Sequence, residues 1–174
     1  MKNSNYVRGR YSLLIAIIIG LVSGPVNAAI FMFIPGIPGE SLDANHHMWI
    51  DVLAAGGSFT QNSCGEFVVT KEIDKAFPLL VASVVSGSTF SESIQVEYTA
   101  NYGGSRATYS TITLDGASIT SISTSASRSV EATPVENITI EASSITIEYI
   151  QFDSAGRAGE TITETLVCGK SKKE

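Results

Sequence analysis

The stretch FIPGIPGESLDANHHMWIDV (Phe33–Val52) decides how the chain is read. Two Pro-Gly pairs, Pro35-Gly36 and Pro38-Gly39, precede Glu40, Ser41 and Asp43. The adjacent His46 and His47 follow, and then a strand-like run ending Ile50-Asp51-Val52. Crowded Gly, Glu, Ser, Asp and His have the look of an active site. The same residues also suit a shaped loop between two strands. Glycines permit the tight turns, and carboxylates can accept loop N–H groups. The rest of the chain has to separate the two readings.

It supplies no catalytic set. His46 and His47 are the only histidines. Being adjacent, they face opposite ways, and no spaced histidine pair exists to chelate a metal. No Gly-x-Ser-x-Gly elbow is present. The Gly-Gly-Ser runs at Gly56 and Gly103 lack the Lys-Ser/Thr and helix of a phosphate loop. We expect no catalytic residue, no cofactor and no metal, and read Glu40 and Asp43 as turn caps.

Bulk properties point the same way. A chain of 174 residues suits one domain with its own core. Charged residues make up 16% and the net charge is −6, which repels phosphate backbones and argues against nucleic acid as a partner.

The first 28 residues have the pattern of an export signal. Lys2, Arg8 and Arg10 precede the apolar run Leu13–Val22, Gly24-Pro25 breaks it, and Val26-Asn27-Ala28 supplies small residues. This predicts a cleavable leader cut between Ala28 and Ala29, with no membrane association afterwards. The apolar run is half the length needed to span a bilayer. We expect a periplasmic or extracellular protein.

Export gives the cysteines a meaning. Cys64 and Cys168 are the only two, and an oxidising compartment favours pairing. The bridge would close a loop of roughly 100 residues, for which chain entropy gives about 4–5 kcal/mol. The alternative is two free thiols.

Periodicity gives the remaining organisation: a leader over 1–28, one β domain over 29–169 and a polar tail over 170–174. The wholly apolar Ala29–Ile34 predicts a strand covered on both faces. A second strand spans Trp49–Leu53, followed by a turn at Gly56-Gly57-Ser58. In Phe67–Ile73, alternation puts Phe67, Val69, Lys71 and Ile73 on one face. One helix follows, with Asp74 as N-cap, Pro78 in its first turn and Gly87 as its stop. Strands then continue to the end, with a turn at Asn101–Arg106, a break at Asp115-Gly116 and a pivot near Ala142–Ser144. The Ser/Thr-rich Thr120–Pro134 predicts a strand end and a mobile loop, and Glu160–Val167 is expected to close the sheet. The fold class is mainly β: an antiparallel two-sheet sandwich or flattened barrel with one α-helix packed against it.

Two of these segments carry a family likeness. The opening block resembles that of the Hcp family, the haemolysin-coregulated tube proteins of type VI secretion. The residues are Gly36, Ile37, Gly39, Glu40, Ser41, Asp43, His46, Ile50, Asp51 and Val52. The run VVTKEIDKAFPLL resembles the family's lead into its single helix, through Thr70, Lys71, Asp74, Lys75, Ala76, Pro78, Leu79 and Leu80. The likeness implies a subunit of a six-membered ring, stacking into a hollow tube that carries small effectors. It implies partners in other copies of itself, type VI components or effectors. It also makes Pro35–His46 an assembly loop whose shape Glu40 and Asp43 fix. The leader, Phe77 and the Ser/Thr-rich stretch near Ser125 depart from the family pattern.

Two other readings compete. One is an exported monomeric, adhesin-like surface protein using polar strand faces and the Ser/Thr-rich loop. The other is a hydrolase or toxin built on the histidine turn.

Overall fold

The computed structural model describes residues 28–61, 63–126 and 133–168. Ten strands and one helix follow in chain order: β1 (Ala29–Phe33), β2 (Ile50–Val52), β3 (Ala54–Thr60), β4 (Ser63–Glu72), α1 (Phe77–Ser86), β5 (Ile94–Tyr102), β6 (Ser105–Asp115), β7 (Ser118–Ser125), β8 (Val135–Glu141), β9 (Ser144–Phe152) and β10 (Ala158–Val167). They form two antiparallel sheets, one ordered β10-β9-β6-β5-β1-β2 and the other β3-β4-β8-β7.

Alternation builds the core between them. Ile94 and Val96 of β5, Ile112 and Leu114 of β6, and Ile145 of β9 meet Phe67 and Val69 of β4 and Ile138 and Ile140 of β8. Fully burying each such side chain stabilises the fold by about 1.5–3 kcal/mol. The outward residues of β4, Val68 and Glu72, are exposed, as the period of two requires.

β1 is an interior strand, paired with β5 and β2, and apolar on both faces. Met32 faces the core, whereas Phe31, with the opposite orientation, is covered by the loop that follows β1. This double cover explains why its sequence does not alternate.

The two sheets pass into one another at a corner. β6 turns into β7 through Gly116, at φ 56°. β8 turns into β9 through Ala142-Ser143, where Ser143 N–H donates to Asp115 O at 2.8 Å. β4 and β10 make a third line without a peptide connection. Phe67 of β4 lies opposite Ile140 of β8, and Val167 of β10 lies opposite Ser144 of β9. Continuing each register towards the corner brings Cys64 and Cys168 to the same position, Ser143. Cys168 N–H donates to Ser143 O at 2.9 Å. A disulfide joins the two cysteines, with Cα atoms 5.0 Å apart. The bond thus turns the corner for the strand line that lacks a chain connection.

The sheets form the expected sandwich and are not closed into the alternative barrel, so β10, β2, β3 and β7 are edges. Several finer expectations need correction. β10 does not close its sheet: it pairs only with β9, and all ten of its residues are exposed. Gly56-Gly57-Ser58 is not a turn but part of β3, held by the ladder to β4, with Gly57 opposite Phe67. A Cβ on Gly57 would meet the Phe59 and Phe67 rings at 3.0 and 3.2 Å, so glycine here makes room for aromatics.

The helix begins at Phe77, later than Asp74 predicts. Asp74 is not its N-cap. Its carboxylate accepts from Ala76 N–H at 2.9 Å and thereby shapes the preceding turn. Pro78 sits in the first turn, where its missing N–H costs nothing. Gly87 ends the helix at φ 63°, as expected. α1 packs against β7, with Leu80 its buried anchor. The expected Ser/Thr-rich loop falls largely on residues 127–132, outside the described residues, as does the leader over 1–27. The expected cut ahead of Ala29 coincides with the start of β1.

Candidate functional site

The loop between β1 and β2 is a built structure. Ile37 N–H donates to Ile34 O at 3.0 Å across Pro35-Gly36, and Gly36 has φ 76°. Proline followed by a left-handed glycine is the requirement of a type II turn. The chain then doubles back. Gly39 N–H donates to Met48 O at 2.7 Å, Ser41 N–H to Trp49 O at 3.0 Å, and Met48 N–H to Ser41 O at 3.0 Å. Gly39 lies so close that a Cβ would stand 2.2 Å from Trp49 O.

His46 pins the loop to the sheet. It is 4% exposed, and its ring stacks on Phe31 at 4.1 Å with Trp49 edge-on at 5.0 Å. Nδ1 lies 2.8 Å from Asp43 Oδ1 and Nε2 lies 3.0 Å from Glu97 Oε2. A neutral imidazole can donate to one of these carboxylates, and only the imidazolium donates to both. Thr108 Oγ1 donates to the same Glu97 oxygen at 2.7 Å, and Arg106 donates to Asp43 Oδ2. The His46 hydrogen bond holds the Asp43 carboxyl below the usual carboxylate range, against a rise from partial burial; the Asn45 N–H and the charges of His46 and Arg106 add to the lowering.

The expected roles divide. Asp43 caps the turn by accepting from Asn45 N–H at 3.0 Å. Ser41 is buried, and its hydroxyl accepts from Asp43 N–H at 3.3 Å. Glu40 is exposed, and among the described residues no side-chain hydrogen bond from it holds the loop. His47 turns outward beside Met48 and Trp49 over a small apolar groove. The two histidines therefore do not converge, as their adjacency predicts. Met48, at φ 66°, is the one described non-glycine residue in the left-handed region.

The residues leading into α1 form a second centre. Lys71 Nζ donates to Glu136 Oε1 at 2.6 Å, to Asp74 Oδ1 at 2.8 Å and to Glu72 O at 2.7 Å. Lys71 and Glu136 are opposite one another on β4 and β8 and have no exposed surface. Lys75 is exposed, its ammonium 3.3 Å from Met48 Sδ, so this centre and the loop touch.

Sequence reasoning missed Glu97, Thr108, Arg106 and Glu136. The first three come from strands far along the chain, and nothing local pairs them with His46. Glu136 left a signal. It stands in the apolar register of β8 with Ile138 and Ile140, as Lys71 stands in that of β4 with Phe67 and Val69. Two opposite charges in the core registers of two strands are candidates for each other.

Among the described residues, no group of three or more His, Cys, Asp or Glu is placed to hold a metal, and no helix is long and apolar enough to cross a membrane.

Comparison with known proteins gives a consistent result. The family model described as "Type VI secretion system effector, Hcp" matches residues 31–149. Hcp1 from Salmonella typhimurium is similar at 27% identity and a TM-score of 0.72, over 80% of this chain and 94% of that one. A type VI secretion system effector from Yersinia pestis is similar at 29% and 0.67, over 79% and 98%. Hcp2 from Salmonella typhimurium is similar at 27% and 0.64, over 84% and 99%. No curated protein sequence matches significantly.

Proposed function

Because the chain belongs to the Hcp family, whose members self-assemble into rings as secreted tube or effector-carrier proteins of type VI secretion, we propose that it works as a six-membered ring that stacks into a tube. Its partners in this reading are further copies of itself, with type VI components or small effectors in the lumen. Ring closure needs a head-to-tail interface and stacking needs a second one.

The observation that supports the reading is the immobilised β1–β2 loop. A rigid, glycine-shaped loop held by a buried histidine can present its outer residues to a neighbour at small entropic cost. The same geometry argues against catalysis. Both nitrogens of His46 are engaged, which leaves none free to accept a proton from a substrate. The leader takes the chain to the periplasm or beyond, and the Cys64–Cys168 bond fits an oxidising compartment.

Negative-stain imaging of the leaderless protein, with and without reductant, tests this. Rings with six-fold symmetry are the expected result. A strictly monomeric protein at high concentration, with no rings on the grid, would overturn it.

A further inference from the structure

Among the described residues, two surfaces lack a partner within the chain. The first lies on the large sheet. Leu166 of β10 is opposite Ile145 of β9, Glu164 is opposite Ile147, and Ile162 is opposite Tyr149. Directly opposed residues share a face. Ile145 belongs to the core and Ile147 packs against it, so these β10 residues continue the inner face of the sheet. Yet Ile162 is 55% exposed and Leu166 is 37% exposed, with Tyr149 also open. Six strands stand over four, and the smaller sheet does not cover β10. The result is a shelf of apolar side chains with the Glu164 carboxylate between them.

The second surface is the outer side of α1. The helix FPLLVASVVS has no charged residue, yet Leu80 alone is fully buried. Leu79, Val81 and Val85 are exposed, Val85 at 82%. Lys75 lies in the turn that leads into this helix, four residues before Leu79. Among the described residues, Lys71, Arg106 and Arg157 each meet a carboxylate, whereas Lys75 meets none. Among the described residues, the helix face is therefore apolar with a cation at its head that touches Met48 Sδ but no carboxylate, and the shelf is apolar with a carboxylate at its centre.

We propose that the β9–β10 shelf of one copy receives the α1 face of the next, with Glu164 meeting Lys75 and Ile162 and Leu166 covered by Leu79 and Val85. The two surfaces differ, so the contact is heterologous, the type that builds a ring when the rotation between copies closes. This inference rests on the ring reading and names the surfaces that would close it.

Sedimentation velocity on the oxidised, leaderless protein tests it with Glu164→Lys, Lys75→Glu and the double variant, each checked for an unchanged thermal melt. Each single variant places like charges together and should weaken association about tenfold or more, while the double variant restores it. Ile162→Ser and Val85→Ser should weaken it without a change of charge. Wild-type rings that persist in both single charge variants would overturn this interface and leave the ring reading standing. Weakening by both singles without recovery in the double would also overturn the contact. A wild type that stays monomeric would overturn the ring reading and this interface with it.

Discussion

Lys71 and Glu136 face each other across β4 and β8 with 2.6 Å between Nζ and Oε1 and no solvent-exposed surface on either side chain. Removing one partner leaves a buried charge without its counter-ion. Lys71→Met should destabilise the fold by about 3–5 kcal/mol, whereas Lys71→Met with Glu136→Leu should recover most of that loss. Guanidinium unfolding of the two variants checks this. Asp74, the other carboxylate on Lys71, is 12% exposed and can be hydrated when the lysine is gone.

The Cys64–Cys168 bond carries a stability term that reductant removes. With the cysteines 104 positions apart in the sequence, loss of the cross-link should cost about 4–5 kcal/mol through the entropy of the unfolded chain. Comparing denaturant midpoints with and without reductant, and in a Cys64→Ser, Cys168→Ser variant, measures it. Strand β10, exposed along its length, should lose amide-exchange protection first.

Gly39 tolerates no side chain. A Cβ 2.2 Å from Trp49 O forces the two arms of the loop apart. Gly39→Ala should cost about 1–3 kcal/mol, the range of forced overpacking. Trp49 is the only tryptophan, so its fluorescence should shift even in the folded variant. Gly56→Ala, where a Cβ meets open space, serves as the mild control.

The β1–β2 loop should loosen in acid. The Asp43 carboxyl titrates below its ordinary value because His46 hydrogen-bonds to it. A depressed carboxylate stabilises the fold above its unfolded value of about 4, and this contribution is lost as pH falls through the folded value. Trp49 fluorescence followed below pH 4 should report the release, and Asp43→Asn should show the loosened signal already at neutral pH.

Much of this molecule is written locally. The Pro35-Gly36 turn, the double-sided apolar run of β1, the stop at Gly87 and the turn at Gly103-Gly104 are legible in single residues or short runs. The two cysteines are joined as counting them predicts. What stayed hidden depends on distant strands. Gly56-Gly57-Ser58 has turn composition, but the ladder to β4 and the room needed by Phe59 and Phe67 hold it extended. β10 alternates like a covered strand, and its openness follows from a mismatch between two sheets. His46 was legible as a loop residue. Its hold on the sheet through Glu97 was not, since the carboxylate lies 51 residues away.

The corner at Ser143 also has a mechanical meaning. Tension applied at the two ends of the chain would pass through the sulfur bridge and bypass everything from β4 to β10. At 3.3–3.6 Å per residue, roughly 350 Å of contour length is shielded from stretching. Of the described strands only β1, β2 and β3 lie in the path of the load. Under such a load the subunit would lose its first strands while the remaining seven and the helix keep their covalent frame.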